Sequence, residues 1–174
     1  MDDLYDLISE FNDNSISVRM VPSLWKKLDG EVSDLIHDKT WKTFKFYKVD
    51  QNRSDEIENI SSSSGGIYLF YIDPGIITER HRVLTYIGRA EYTDNQNLRK
   101  RIREYYGYMP PDTRRVRIGW MLKNWWEYLY CSYIELSDNE LIDKVEKELI
   151  NALLPPMNTQ IPDVTISAAS RAAF

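Results

Sequence analysis

Two short runs of β-forming residues, Gly66 to Ile72 (GIYLFYI) and Val83 to Gly88 (VLTYIG), constrain this chain more than any other feature. β-Branched and aromatic side chains suit a pleated, half-buried surface. The first run closes on Asp73-Pro74-Gly75, a turn signal. The spacing predicts an antiparallel hairpin whose connection is longer than a tight turn needs. After a polar loop from Glu91 to Asn97, Leu98, Ile102, Tyr105 and Tyr106 recur at helical spacing, with Arg and Lys on the other side. Asp112 to Asn124 reads as a further helix, and Tyr128 to Leu136 (YLYCSYIEL) as a third strand. Asp138 opens a helix through Leu154, with Leu141, Val145, Leu149 and Ile150 inward, and Pro155-Pro156 ends it. The order β-β-α-α-β-α predicts an α+β architecture, a small antiparallel sheet of about three strands flanked by helices.

Upstream, Leu4, Leu7, Ile8 and Phe11 predict a short amphipathic helix over residues 2–12. A second helix is expected from Ser23, with Ser as its cap after Pro22, toward His37. Thr40 to Val49 alternates aromatic or apolar with polar residues, as a half-buried strand does. Ser61 to Ser64, followed by Gly65-Gly66, marks the best boundary in the chain. The expected organisation is an N-terminal helical and strand arm (1–64) on or beside a core (65–160), then a tail (161–174).

Composition narrows the class. Hydrophobic residues at 43% and aromatics at 13% suffice for a core. No apolar run approaches the roughly 20 residues that span a bilayer. The acidic Met1-Asp2-Asp3 start does not read as a secretory signal, so a cytoplasmic protein with no membrane partner is expected. Cys131 has no disulfide partner, and with only His37 and His81 it makes no zinc site, which leaves hard cations held by oxygen. The net charge of −5 argues against a nucleic-acid partner until its distribution is considered. Arg80, Arg82, Arg89, Arg99, Lys100, Arg101, Arg103, Arg114, Arg115 and Arg117 all fall in one stretch. Such a focused surface can neutralise phosphates because screening hides distant charge; a solvated helix face explains the same residues equally well.

The tripeptides Gly66-Ile67-Tyr68 and Tyr86-Ile87-Gly88 stand in order before the basic helix that opens Leu98-Arg99-Lys100-Arg101. Tyr105 follows one turn later, and Glu146 precedes Leu149-Ile150, Pro155 and Asn158. In these residues the chain resembles the GIY-YIG nuclease family, over roughly residues 65–160. Either tripeptide alone is a weak signal, and the specificity lies in the ordered series. Seventeen residues separate Tyr68 from Tyr86, a longer connection than in many members. The spacing after Glu146 is similar to the excision-repair branch, whereas the compact chain with an N-terminal arm is similar to the family's small restriction endonucleases.

The resemblance implies a catalytic set of Tyr68, Tyr86, Arg101, Tyr105 and Glu146. Glu146 would be the ligand of one Mg²⁺ or Mn²⁺, a cation that keeps several waters when phosphate oxygens complete its shell. Arg101 would set a charged fork on the scissile phosphate. Tyr68 would act as general base or orient the attacking water, and Tyr86 and Tyr105 would donate hydrogen bonds. Arg89, Arg99, Lys100, Arg103 and Asn158 are the candidate DNA and phosphate contacts, with Asn158 also a brace at the end of the Glu146 helix. Gly88 is read as permitting close backbone approach. Trp120, Trp125 and Trp126 are read as packing residues, His81 as an exposed loop residue and Cys131 as a small buried hydrophobe. The implied function is metal-dependent hydrolysis of double-stranded DNA by a restriction-type enzyme, a homodimer being the symmetric way to cut both strands. Alternatives are a structure-specific repair or recombination nuclease, a DNA-binding module without catalysis, and a protein regulator acting through the acidic arm.

Overall fold

Four strands form one antiparallel sheet in the order β1-β4-β2-β3: β1 (Lys42–Lys45), β2 (Gly65–Ile72), β3 (Val83–Ala90) and β4 (Leu129–Leu136). The computed structural model describes residues 4–77, 80–108 and 115–173. Among them are seven α-helices: α1 (Leu4–Asn14), α2 (Pro22–Trp25), α3 (Gly30–Asp38), α4 (Leu98–Glu104), α5 (Val116–Asn124), α6 (Asn139–Leu153) and α7 (Val164–Ala172). None is long and apolar enough to cross a membrane. The class is α+β, as expected.

The expected hairpin forms, with Tyr68 opposite Gly88 and Phe70 opposite Tyr86, and a register shift at Phe70/Tyr71. The sheet gains a fourth strand over the expected three because β1 pairs along β4, from Lys42↔Tyr133 to Lys45↔Tyr130. That strand is shorter than the Thr40–Val49 run: a turn with Gln51 at φ 63° carries the chain back so that Tyr47 bridges Arg53. Phe44, Phe46, Ile57 and Ile60 are buried in the same cluster as β2 and α4, so residues 44–60 contribute directly to the core.

The helix expected from Ser23 is instead two. Pro22 occupies the first turn of α2, and Ser23 makes no cap. The chain restarts at Asp29, whose carboxylate accepts from the Val32 N–H and caps α3. α5 covers residues 116–124 of the expected Asp112–Asn124 helix, Arg115 standing just before its first turn; residues 112–114 lie outside the described ones. α6 is capped by Asp138, and its inward row is Ile142, Val145, Leu149 and Ile150, with Leu141 only half-buried. Leu154 turns left-handed at φ 48° just before Pro155, ending the helix. The expected tail instead contains a helix, α7, capped by Asp163.

The sheet separates two cores. Ile67, Ile87, Ile134 and Leu136 pack against α6 and Val32 of α3. Tyr68, Phe70 and Cys131 face α4 and α5 through Leu98, Ile102, Ile118, Met121 and Leu122. Each fully buried aliphatic side chain of this size contributes about 1.5–3 kcal/mol. Trp120, Trp125 and Trp126 pack against the second cluster, with Trp120 and Trp125 edge to face at 4.6 Å.

Candidate active site

β3 is an edge strand, and its alternating residues reach both sheet faces. Tyr86 and Gly88 lie on the α4 side, while Ile87 and Arg89 turn toward α6. At this edge a cleft of about 370 Å³ is lined by Tyr68, Tyr86, Arg89, Arg101, Arg115 and Glu146, among others. Five separate segments therefore supply it.

Glycine makes the tyrosine wall possible. A Cβ on Gly88 would lie 2.5 Å from Cζ of Tyr68, so only glycine lets that ring lie across β3. Gly66, at φ 151°, holds a conformation that side chains rarely adopt, and a Cβ there would strike the Ile134 carbonyl. The close approach expected at Gly88 is thus to a tyrosine ring.

The α4 side brings three hydroxyls together. Tyr68 and Tyr105 share a hydrogen bond of 2.7 Å, and the Tyr105 hydroxyl donates to that of Tyr86 at 3.3 Å. Arg115 Nη1 donates to both Tyr105 (3.1 Å) and Tyr86 (3.4 Å). Arg101 stacks over the Tyr105 ring at 5.6 Å while Nη1 donates to Glu104 at 2.8 Å. Glu104 is held in turn by Gln96 Nε2 at 2.9 Å. The helix carrying Arg101 is fixed where it starts: the Leu98 N–H donates to the Ser64 carbonyl, and the Asn97 side chain caps Lys100 N. Burial pushes the Tyr68 phenol above the ordinary tyrosine value and Tyr86 adds to this, while Arg101 and the hydrogen bond to Tyr105 pull the other way. Burial raises Tyr105 likewise.

The α6 side brings opposite charges together. Arg89 Nε lies 2.9 Å from Glu146 Oε2, and its Nη1 contacts Asp143 (2.9 Å) and Glu91 (2.7 Å). Burial raises the Glu146 carboxyl above the ordinary glutamate value even though Arg89 opposes it; Asp143 raises it further and Arg101 lowers it. Among the described residues no three His, Cys, Asp or Glu side chains form a metal cage. One carboxylate at a cleft wall still fits a hard divalent cation that keeps its waters and borrows phosphate oxygens. Burial disfavours an uncompensated charge on Glu146, and Arg89 Nε is the cationic group that faces it at 2.9 Å.

The remaining candidates point elsewhere. Arg99 donates through Nε to the Ile60 carbonyl at 2.6 Å and lies 3.4 Å from Glu58. Arg103 pairs with the same Glu58 at 2.5 Å, and Lys100 donates to the Asn95 carbonyl at 2.6 Å. Asn158 braces β3: its Oδ1 accepts from Ile87 N at 2.9 Å and its Nδ2 donates to Ile87 O at 2.8 Å. Arg115 belongs to the cleft, and membership of the basic stretch is its only signal in the sequence. A tetrahedral anion entering here would meet guanidinium groups and hydroxyl donors on one wall and a carboxylate on the other.

Comparison with family models, with curated proteins and with solved structures found no match.

Proposed function

We propose that this chain is a divalent-metal-dependent endonuclease of the GIY-YIG type that hydrolyses phosphodiester bonds in double-stranded DNA. The observation carrying this reading is the convergence of Tyr68, Tyr86, Arg101 and Glu146, from four separate elements, on one cleft. Arg89 and Arg115 join them there. Packing alone does not require a half-buried carboxylate facing a hydroxyl cluster and several guanidinium groups.

Glu146 would hold a Mg²⁺ or Mn²⁺ ion. Such an ion would supply Lewis-acid stabilisation of the charge on the phosphate and leaving oxygen. Arg101, kept charged and aimed by Glu104, would bind a non-bridging oxygen, and Arg115 would orient the hydroxyls of Tyr86 and Tyr105. Burial holds the proton on Tyr68, which favours water orientation over a standing phenolate base. The restriction-type reading extends this proposal: a homodimer would place one such cleft on each strand.

The test is incubation of the purified chain with plasmid and phage DNA in Mg²⁺, Mn²⁺ or EDTA, read on a gel. Discrete metal-dependent bands support the restriction-type enzyme, and a smear supports a non-specific nuclease. Cutting confined to branched substrates moves the proposal to repair or recombination. No metal-dependent cutting of any DNA overturns it.

A further inference from the structure

The cleft does not end at Glu146. It opens into a groove of about 970 Å³ that shares Tyr86, Arg89, Arg115 and Glu146 with it. That groove continues into another depression of about 750 Å³, with Arg117 and Arg171 common to both. The whole path runs past the start of α5, the 156–161 segment and α7. Its charged lining is one-sided: Arg89, Arg115, Arg117, Lys147 and Arg171 line the larger groove, and Glu146 is its one carboxylate among the described residues. This occurs in a chain of net charge −5.

Two cations along this path, Arg117 and Arg171, differ from those on α4, whereas Lys147 pairs with Asp143 at 2.7 Å and Arg89 with Glu91, Asp143 and Glu146. Arg99 and Arg103 are both engaged with Glu58. Arg117 Nη1 instead donates to the Pro156 carbonyl and Arg171 Nε to the Ser167 carbonyl, both at 3.4 Å. Among the described residues neither forms an ion pair with a carboxylate, and both are exposed. A positive concavity with low-dielectric walls concentrates field and attracts polyanions.

We infer that the groove lined by Arg117, Lys147 and Arg171 is the track for the DNA backbone flanking the scissile phosphate, and that the outer face of α4 is not. The inference rests on the nuclease reading for the identity of the polyanion. Phosphate contacts set affinity and register, and each neutralised phosphate releases counterions, so the track has a signature in salt dependence.

The experiment is fluorescence anisotropy of a labelled duplex in EDTA over a range of salt, with thermal melting to establish folding. Arg117→Ala/Arg171→Ala is compared with Arg99→Ala/Arg103→Ala, and Arg117→Gln/Arg171→Gln serves as a second, size-conserving groove variant. The groove variants should bind about tenfold more weakly and lower the salt slope by about two, whereas the α4 variant keeps the wild-type slope. An unchanged slope in folded groove variants overturns the inference, and so does a slope lost from the α4 variant instead. If wild type cuts DNA while the groove variants bind normally, the track assignment falls and the nuclease reading stands. If wild type neither binds nor cuts DNA, both fall.

Discussion

The two faces of the sheet are made from alternating residues of the same strands, but their demands differ. Ile67, Ile87 and Ile134 face α6 with no polar atom to satisfy, so that side needs only volume and shape. Tyr68, Tyr86 and Tyr105, on or against the other face, bring hydroxyls inward, and each needs a partner or a cost is incurred. The aliphatic side supports, while the aromatic side presents the hydroxyls and guanidinium groups on which the proposed chemistry rests. Glu146 and Arg89 link the two at the edge where the aliphatic packing ends.

High pH should break the aromatic side first. Tyr47, Tyr68 and Tyr105 are buried with phenols raised above their ordinary value, burial being the first cause for each. Below about pH 10 both folded and unfolded chains keep these protons, so the contribution is fully present. Above it the unfolded chain releases protons that the folded chain retains, and stability falls as pH rises, by about 1.4 kcal/mol per pH unit for each such tyrosine. Urea unfolding at pH 8, 10 and 11 should show this decline. Equal midpoints at all three would mean that the phenols ionise freely in the fold.

Next in size is a contrast between neighbours on opposite faces. Tyr68→Phe keeps the ring beside Gly88 but removes the hydroxyl that bonds Tyr105, so turnover should fall by on the order of a thousandfold. The stability cost should be about 1 kcal/mol. Ile67→Val, one residue away on the aliphatic face, should cost about 0.5–1.5 kcal/mol of stability and leave turnover per folded molecule unchanged. Equal activity losses in both variants would make Tyr68 a packing residue only.

Under the proposed nuclease reading, Arg101→Ala should cost on the order of 3 kcal/mol in activation free energy, because it would remove a held charge at the reacting phosphate. Arg103→Ala, whose guanidinium faces Glu58 outside the cleft, should leave the rate near wild type. Single-turnover kinetics separate the two, and matching small defects would remove Arg101 from the reacting centre. The smallest effect is expected at Tyr47, whose buried hydroxyl has no partner among the described residues. Tyr47→Phe should be neutral or stabilise by about 1 kcal/mol, since it removes an unpaired polar group. Clear destabilisation on thermal melting would show that the hydroxyl is satisfied.

Local pattern made the central strands and helices legible. Runs of β-branched and aromatic residues marked β2, β3 and β4, and the Leu98, Ile102, Tyr105 row marked the inward side of α4. The ordered motif singled out Tyr68, Tyr86, Arg101 and Glu146, and these four line one cleft. What escaped the sequence reading was mostly non-local. The aromatic alternation of β1 says strand, but not that its partner is β4. Nothing near Arg89 announces Asp143 and Glu146 on α6, and nothing near Arg99 or Arg103 announces Glu58. The expected Asp112–Asn124 helix includes Arg115, but α5 begins only after it, so helical spacing says nothing of where its side chain goes. The break between α2 and α3 was different: Asp29-Gly30 is a cap signal that was present in the sequence.

Glu146 is the carboxylate we propose to hold a metal ion in this cleft. Glu146→Gln keeps the side-chain shape and removes the charge, and it can be assayed for plasmid cleavage in Mg²⁺ beside duplex binding in EDTA. Cleavage should fall by on the order of a thousandfold or more. Binding should stay within a few-fold of wild type, since phosphate contacts by other residues supply most of the affinity. Cleavage at the wild-type rate in a folded Glu146→Gln protein would contradict the account.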